Sequence, residues 1–457
     1  MARTARTARR QASLGLASRR RASWGRASLV LVAATGTGAL IAPQTAQAAA
    51  PADDPVRAIE RAAHPLRSTD PGGPTADLRP LGRMVGGAKV VGLGEATHGS
   101  HEFFTMKDRL FRYLVEKKGF TTFAQEISWT TGLRFDAYVR GGKGDVRKLV
   151  HKELGRTPWD TDEYVELLTW MRAYNQKHPD RQVRFMGNDL NYPHQGIELF
   201  DAVRDYVRKH EPDLLARVDA LYAPLRRLTD SDTFWGLPLA ERARLTKKAE
   251  RARDLLDSRR PDQGGKAFDW ALRNADSIAE TAKILSYDDT DQGIKDAMLY
   301  RDRIMARNTA WWQRYTGDKV LLSAHNAHVG YESYDKRYPK MQGAFLRDAL
   351  GKRYTSIGFT FDQGSFLAQN QTTMKWRPRT VGAAAPGMNE HTLDKVRHDD
   401  YFVDMRTAPA AARKWLGKGR LTRSIGTAYP DGPWRIRLGA SHDILIHLHD
   451  VTAAHRQ

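Results

Sequence analysis

Short apolar runs that recur between amphipathic stretches constrain this chain more than any other feature. They occur at 89–93 (KVVGL), 121–124 (TTFA), 182–186 (QVRFM), 319–322 (KVLL), 354–361 (YTSIGFTF) and 444–448 (ILIHL). Runs this short and continuously apolar suit strands buried on both faces, and the helical patterns between them supply crossovers. The pattern predicts an α/β fold with three αβα layers around a mainly parallel sheet. Strand signals vanish between 196 and 308, where stretches such as 239–256 and 267–285 read as helices. This segment is expected to be a large helical insertion, or cap, within one domain spanning 49–457. A short helix is expected near 56–63, in a Pro- and Gly-rich lead-in.

Four of these strands run directly into residues of catalytic type. Residues 89–93 lead to Gly94-Glu95-Ala-Thr-His98-Gly99, and 121–124 lead to Gln125-Glu126. Residues 182–186 lead to Gly187-Asn188-Asp189, and 319–322 lead to Ser323-Ala-His325-Asn326-Ala-His328. In a parallel sheet all strand C-termini open on one edge, where the ligand crevice lies. Two glutamates, an aspartate and three histidines therefore converge. A further clue is Lys107, which sits in the apolar stripe of a predicted helix between Phe103 and Leu110. A cation there either snorkels its amine to solvent or points into the crevice beside Glu95 or Glu126, where it could hold a developing oxyanion.

Several chemistries are excluded. The 457 residues contain no cysteine, so thiolate nucleophiles, thiolate metal sites and disulfides are absent. There is no Gly-x-Ser-x-Gly elbow, no P-loop, no dinucleotide-binding Gly-x-Gly-x-x-Gly, and the second histidine of a zincin is missing after His101-Glu102. A histidine–carboxylate site without a protein nucleophile suits direct attack by water, because an imidazole oriented by a carboxylate can take the proton. The same groups are competent ligands, so a His/Glu module binding iron, haem or another divalent cation is the alternative.

The net charge of +20 is concentrated at the start. Residues 1–48 carry eight arginines and no acid, leaving +12 on the rest. The later basic residues are interspersed with acids and accompany no RNP-type aromatic motif, so a solvated basic surface is expected, not a nucleic-acid site. Residues 1–48 read as an export signal: an arginine-rich start, a moderately apolar run at 28–42, then Pro43 and Ala46-Gln47-Ala48 as a cleavage site. Arg19-Arg20-Arg21 resembles a twin-arginine motif. The expected location is extracytoplasmic, with no integral membrane segment after signal removal.

The segment Gly94-Glu95-Ala-Thr-His98-Gly99 resembles the opening signature of the erythromycin esterase family. Supporting matches follow in order: Glu102-Phe103 and Lys107, Phe123-Ala-Gln-Glu126, Trp170-Met-Arg-Ala-Tyr-Asn175 and Phe185-Met-Gly187-Asn-Asp189. Arg301-Asp302 with Met305-Ala-Arg-Asn308, and His325-Asn326-Ala-His328, complete the set. The resemblance implies hydrolysis of an ester or macrolactone, without metal or cofactor, acting on a small molecule. It places the general base on His98 and its carboxylate partner on Glu126, with Glu95 and His325 binding the lactone and positioning water. The family's catalytic arginine falls on Lys107, which keeps the charge but not the planar fork. Asp189, His328 and Arg301 are the candidate substrate-binding residues. Asp189 could equally cap the next segment, and one of His325 and His328 is expected to pack rather than react. His447, His449, Trp159, Trp311 and Trp312 are expected to have packing roles.

Overall fold

The computed structural model describes residues 54–191, 196–228, 230–262 and 265–457. The export signal expected over 1–48 lies outside them. All six strands expected from the apolar runs form: β2 (Val90–Leu93), β3 (Phe120–Ser128), β4 (Arg184–Asp189), β5 (Lys319–Ser323), β6 (Tyr354–Asn370) and β12 (Ile444–Val451). They lie side by side in the order β12-β6-β2-β5-β3-β4, every neighbouring pair parallel. Val90, Val91 and Leu93 are inaccessible to solvent, as a strand covered on both faces requires.

The short strands were not visible in the sequence. They are β1 (His64–Pro65), β7 (Trp376–Val381), β8 (Tyr401–Asp404), β9 (Arg420–Thr422), β10 (Ala428–Tyr429) and β11 (Trp434–Ile436). β8 pairs antiparallel with β12 and β1 with β8, β7 and β10 flank the long end of β6, and β9 with β11 forms a separate ribbon. β7 reads Trp-Arg-Pro-Arg-Thr-Val, whose charges and proline suit an edge but carry no apolar run.

Helices cover both faces of the sheet. His101–Lys118 and Asp162–Lys177 pack on one side, with Phe103, Phe111, Leu114 and Leu168 against Phe123, Phe185 and Leu321. The other side is covered by the helices between Ile197 and Thr316, none of the described residues there being in a strand. Val90, Ala124, Met186 and Leu322 of the sheet meet Leu272, Ile304 and Trp312 of that layer. The last of these helices, Asp291–Thr316, continues past residue 308 and delivers the chain to β5; its Trp312 indole donates to the Thr122 hydroxyl at 3.0 Å. The short helix near the start covers Pro55–Glu60. Among the described residues no helix is long and apolar enough to cross a membrane.

Close backbone approach sets the edge where the strands end. A Cβ on Gly94 would overlap the amide oxygen of Asn326, and one on Gly187 would overlap the Ser128 carbonyl. Asn326 is occupied: its amide oxygen accepts from Phe359 N–H at 3.0 Å, its amide nitrogen donates to Phe359 O at 2.7 Å, and its backbone N–H donates to Glu95 O at 2.9 Å. The turns after β2 and β5 are thereby tied to each other and to β6. Gly94→Ala is expected to lose about 1–3 kcal/mol, the usual cost of overpacking at a fixed site. Urea unfolding measures this, and an unchanged midpoint would contradict the tie.

Candidate active site

His98 lies in the turn after β2, three residues beyond Glu95, and is nearly buried at 8 % exposure. Its Nδ1 sits 2.6 Å from Glu95 Oε1. Glu95 is wholly buried, and its other oxygen receives the ammonium of Lys107. Lys107 Nζ also donates to the Ser323 hydroxyl at 3.0 Å, at the end of β5. The apolar stripe of His101–Lys118 thus hides its one lysine by pairing it, and Lys107 does not snorkel. Burial opposes ionisation of Glu95, but the Lys107 charge and the His98 hydrogen bond outweigh it and hold the carboxyl below the ordinary range. An ionised Glu95 accepts a hydrogen bond from His98 Nδ1–H, which leaves Nε2 of the neutral ring as a lone-pair acceptor.

The pairing expected for His98 is therefore corrected: the carboxylate bonded to it is Glu95, not Glu126. Glu95 and Lys107 are buried and are not among the residues on the wall of the cavity that His98 lines. The sequence favoured Glu126 because the turn at 94–98 has no regular period from which to read an i,i+3 contact.

Glu126 lies where the register of β3 against β4 slips between Gln125 and Ser128, an irregularity that re-aims side chains. Its Oε2 accepts the backbone N–H of His325 at 3.0 Å, and its Oε1 accepts from Arg301 at 2.9 Å. His328 Nε2 is 3.3 Å from the same oxygen. Burial again opposes ionisation, but His328, Arg301 and His98 together drive its pKa far down. Arg301 in turn grips Asp189, its Nε at 3.1 and 3.0 Å from the two oxygens and its Nη2 at 2.5 Å. His328 Nδ1 is 2.8 Å from Asp302, which also accepts Gln342 N–H at 2.7 Å. Burial depresses the His328 pKa, but Asp302 and Glu126 more than reverse that and raise it.

His325 has no free nitrogen. Its Nδ1 accepts Ala327 N–H at 3.2 Å and its Nε2 faces Ile425 O at 3.2 Å, which fixes the tautomer. Burial, then the neighbouring His98, pulls its pKa down to about 3, so the ring is neutral. It packs against His98 with ring centres 4.9 Å apart, and Trp159 meets His98 in an edge-to-face contact at 5.3 Å. Expected only to pack, Trp159 is one of two rings in contact with this imidazole. Asp302 and Asn326 belonged to recognised segments but drew no role from sequence; their partners are 26 and 33 residues away. His447 is completely buried against Thr360, in keeping with packing.

His98, Glu126, Asp189, Arg301, His325 and His328 line one cavity of about 680 Å³. Ile284, Leu285 and Met298 of the helical layer, with Trp159, Trp376 and Trp434, give it apolar walls. A volume of this order suits a small organic ligand, since such sites run from about 300 to 1,000 Å³.

The erythromycin esterase profile matches residues 115–451, which is most of the chain. This protein belongs to the erythromycin esterase family. The matched span of the family includes Glu126, Asp189, Arg301, His325 and His328; Glu95, His98 and Lys107 precede it. Erythromycin esterase type II of Escherichia coli is 26% identical over 333 residues, covering 66% of this chain and 76% of that protein. A solved structure from Bacillus cereus is 31% identical, covers 90% of this chain and 100% of its own, and superposes with a TM-score of 0.82. An erythromycin esterase mutant in an open conformation has 18% identity and a TM-score of 0.64 over 84% of this chain and 96% of its own, a likeness of fold. Membership in the erythromycin esterase family supports a hydrolase that acts on esters of small molecules.

Glu95→Gln leaves the Lys107 ammonium buried without a counter-charge and should cost about 3–5 kcal/mol, whereas Glu95→Gln with Lys107→Met should recover most of that loss. Strictly additive losses in urea unfolding would contradict a buried pair. Because the Glu126 pKa is depressed, the stability it confers is complete above the ordinary value of 4.5 and fades as pH falls through the lowered one. Arg301→Met should therefore move acid unfolding, followed by circular dichroism, to higher pH; an unmoved midpoint would show that the contact carries nothing.

Proposed function

We propose that the protein hydrolyses a carboxylic ester, and specifically a lactone or macrolactone, by attack of a water molecule activated at His98. The single observation carrying this reading is the His98 imidazole, bonded through Nδ1 to a buried carboxylate held ionised by Lys107, on a residue that lines the cavity. In the proposed reaction, water adds to the ester carbonyl carbon and gives its proton to His98 Nε2. The tetrahedral oxyanion then expels the alkoxide, which takes that proton and leaves as the alcohol. No covalent intermediate forms on the protein, consistent with a chain that lacks cysteine and a Gly-x-Ser-x-Gly elbow.

Each neighbour has a part in this scheme. Glu95 stabilises the imidazolium as it forms, and Lys107 keeps Glu95 ionised without touching substrate. Arg301 is the cation nearest Glu126 on the cavity wall and is the group proposed to meet the oxyanion; Glu126 orders the water and Asp189 orients Arg301. The lysine at position 107 needs no planar fork for this task, since it meets one carboxylate oxygen and one hydroxyl. The aliphatic and indole walls suit a largely apolar substrate, and we propose that the chain acts outside the cytoplasm after export. The metal- or haem-binding alternative draws no support from the geometry: among the described residues, neither cluster with ligand spacing contains His98 or Glu126.

The test is a panel of macrolides and simple lactones, read by mass spectrometry for the gain of one water. His98→Ala should cut turnover by about 10²–10⁴, the usual worth of a general base, with the thermal midpoint nearly unchanged. Turnover should persist in EDTA. Equal turnover in His98→Ala, or activity abolished by EDTA and restored by metal, would sink the scheme.

A further inference from the structure

A second group of imidazoles and carboxylate stands outside the catalytic cavity. His101 opens the helix His101–Lys118, Glu163 lies in the first turn of Asp162–Lys177, and His455 belongs to the C-terminal tail. One ligand atom from each lies within 4.8 Å of the others. His101 Nδ1 is 2.6 Å and His455 Nδ1 3.5 Å from Glu163 Oε1, and the two rings are 4.8 Å apart. Tetrahedral zinc holds its ligand atoms about 3.3 Å apart, so small side-chain rotations would accommodate the ion.

Two further observations point to a ligand. Glu163 is 5 % exposed, yet its Oε2 forms no hydrogen bond of standard geometry. A buried carboxylate oxygen without a donor is costly unless something positive meets it. The surroundings are also acidic, since Glu102 and Glu166 add their charge to that of Glu163 around His101. The imidazoles, meanwhile, are open to solvent, the His455 side chain at 63 % and that of His101 at 32 %. An ion can enter there and keep water in its remaining positions.

We propose that His101, Glu163 and His455 form a divalent-cation site of the zinc type, distinct from the active site, that pins the C-terminal tail to the cavity wall. Imidazole with carboxylate is the donor set that borderline ions such as Zn²⁺ prefer, and a hard ion such as Mg²⁺ is not expected to fill it. Binding through His101 Nδ1 releases the proton that this nitrogen shares with Glu163, so occupancy falls in acid.

The consequence follows from what the tail holds. Asp162 N–H donates to His455 O at 2.9 Å, and Gln457 N–H to Asp160 O at 3.1 Å. Arg456 donates to Gly155 O at 2.6 Å and to Thr157 O at 2.9 Å. Residues 154–159 line the cavity and end in Trp159, which braces His98. An ion at the tail therefore stiffens a wall of the active site without touching its chemistry.

The test titrates Zn²⁺ alone into the tag-free, chelator-stripped full chain, followed by calorimetry and by thermal unfolding. One equivalent should bind and raise the thermal midpoint. His455→Ala and His101→Ala should each weaken binding by more than about tenfold and lose the thermal shift. The His455 side chain is mostly exposed, so its removal leaves the fold intact. His98→Ala, and His449→Ala in the other ligand-spaced cluster, should bind as the unaltered chain does. Absence of binding, binding undiminished in both His101 and His455 variants, or loss of binding in His98→Ala or His449→Ala would overturn the proposal. Because binding is read directly, this result stands apart from whether any ester is hydrolysed.

Discussion

A buried chain of charge, Lys107 to Glu95 to His98, is the interaction on which the rest of the site depends. A carboxylate sealed from water would ordinarily take a proton, and the imidazole beside it would then lose both its orientation and its electrostatic support. Lys107 prevents this by sitting on the same core face as Phe103 and Leu110 and meeting Glu95 from behind. Removal of either charge strands the other in apolar surroundings, so the two residues form one unit. That unit sets the His98 tautomer, with the proton on Nδ1 and the lone pair on Nε2.

The fold converts this local arrangement into a site by topology. β2, β5, β3 and β4 lie side by side and parallel, so the turns after β2 and β5, the end of β3 and the end of β4 share one edge. A second charged group, Glu126 with Arg301, His328 and Asp189, assembles there from β3, the helix Asp291–Thr316, the turn after β5 and the end of β4. In the proposed reaction the two groups divide the work: one makes a base, and the other presents charge to whatever the base acts on. His325 joins them structurally, its backbone N–H on Glu126 and its ring on His98.

Much of this was legible in the sequence where burial imposed a pattern. Strands covered on both faces must be apolar throughout, so the six central ones announced themselves, and their polar C-terminal residues marked the crevice. Lys107 was conspicuous because a cation on an apolar stripe requires a partner. Contacts set by turn geometry were not legible. The turn at 94–98 has no regular period, so Glu95 could not be identified as the partner of His98. The grip of Arg301 on Asp189 spans 112 residues, and the role of Trp159 depends on where the C-terminal tail lies. β7 escaped because its exposed positions carry charge and proline, which read as loop.

Nitrogen-15 NMR of histidine-labelled protein, with His98 assigned by its loss in His98→Gln, reads the tautomer that Glu95 imposes. In its neutral form the ring should carry its proton on Nδ1, with Nε2 showing the shift of an unprotonated nitrogen. That pattern should be lost when Glu95 becomes Gln. A proton on Nε2 in the unaltered chain, or a tautomer indifferent to Glu95, would contradict it.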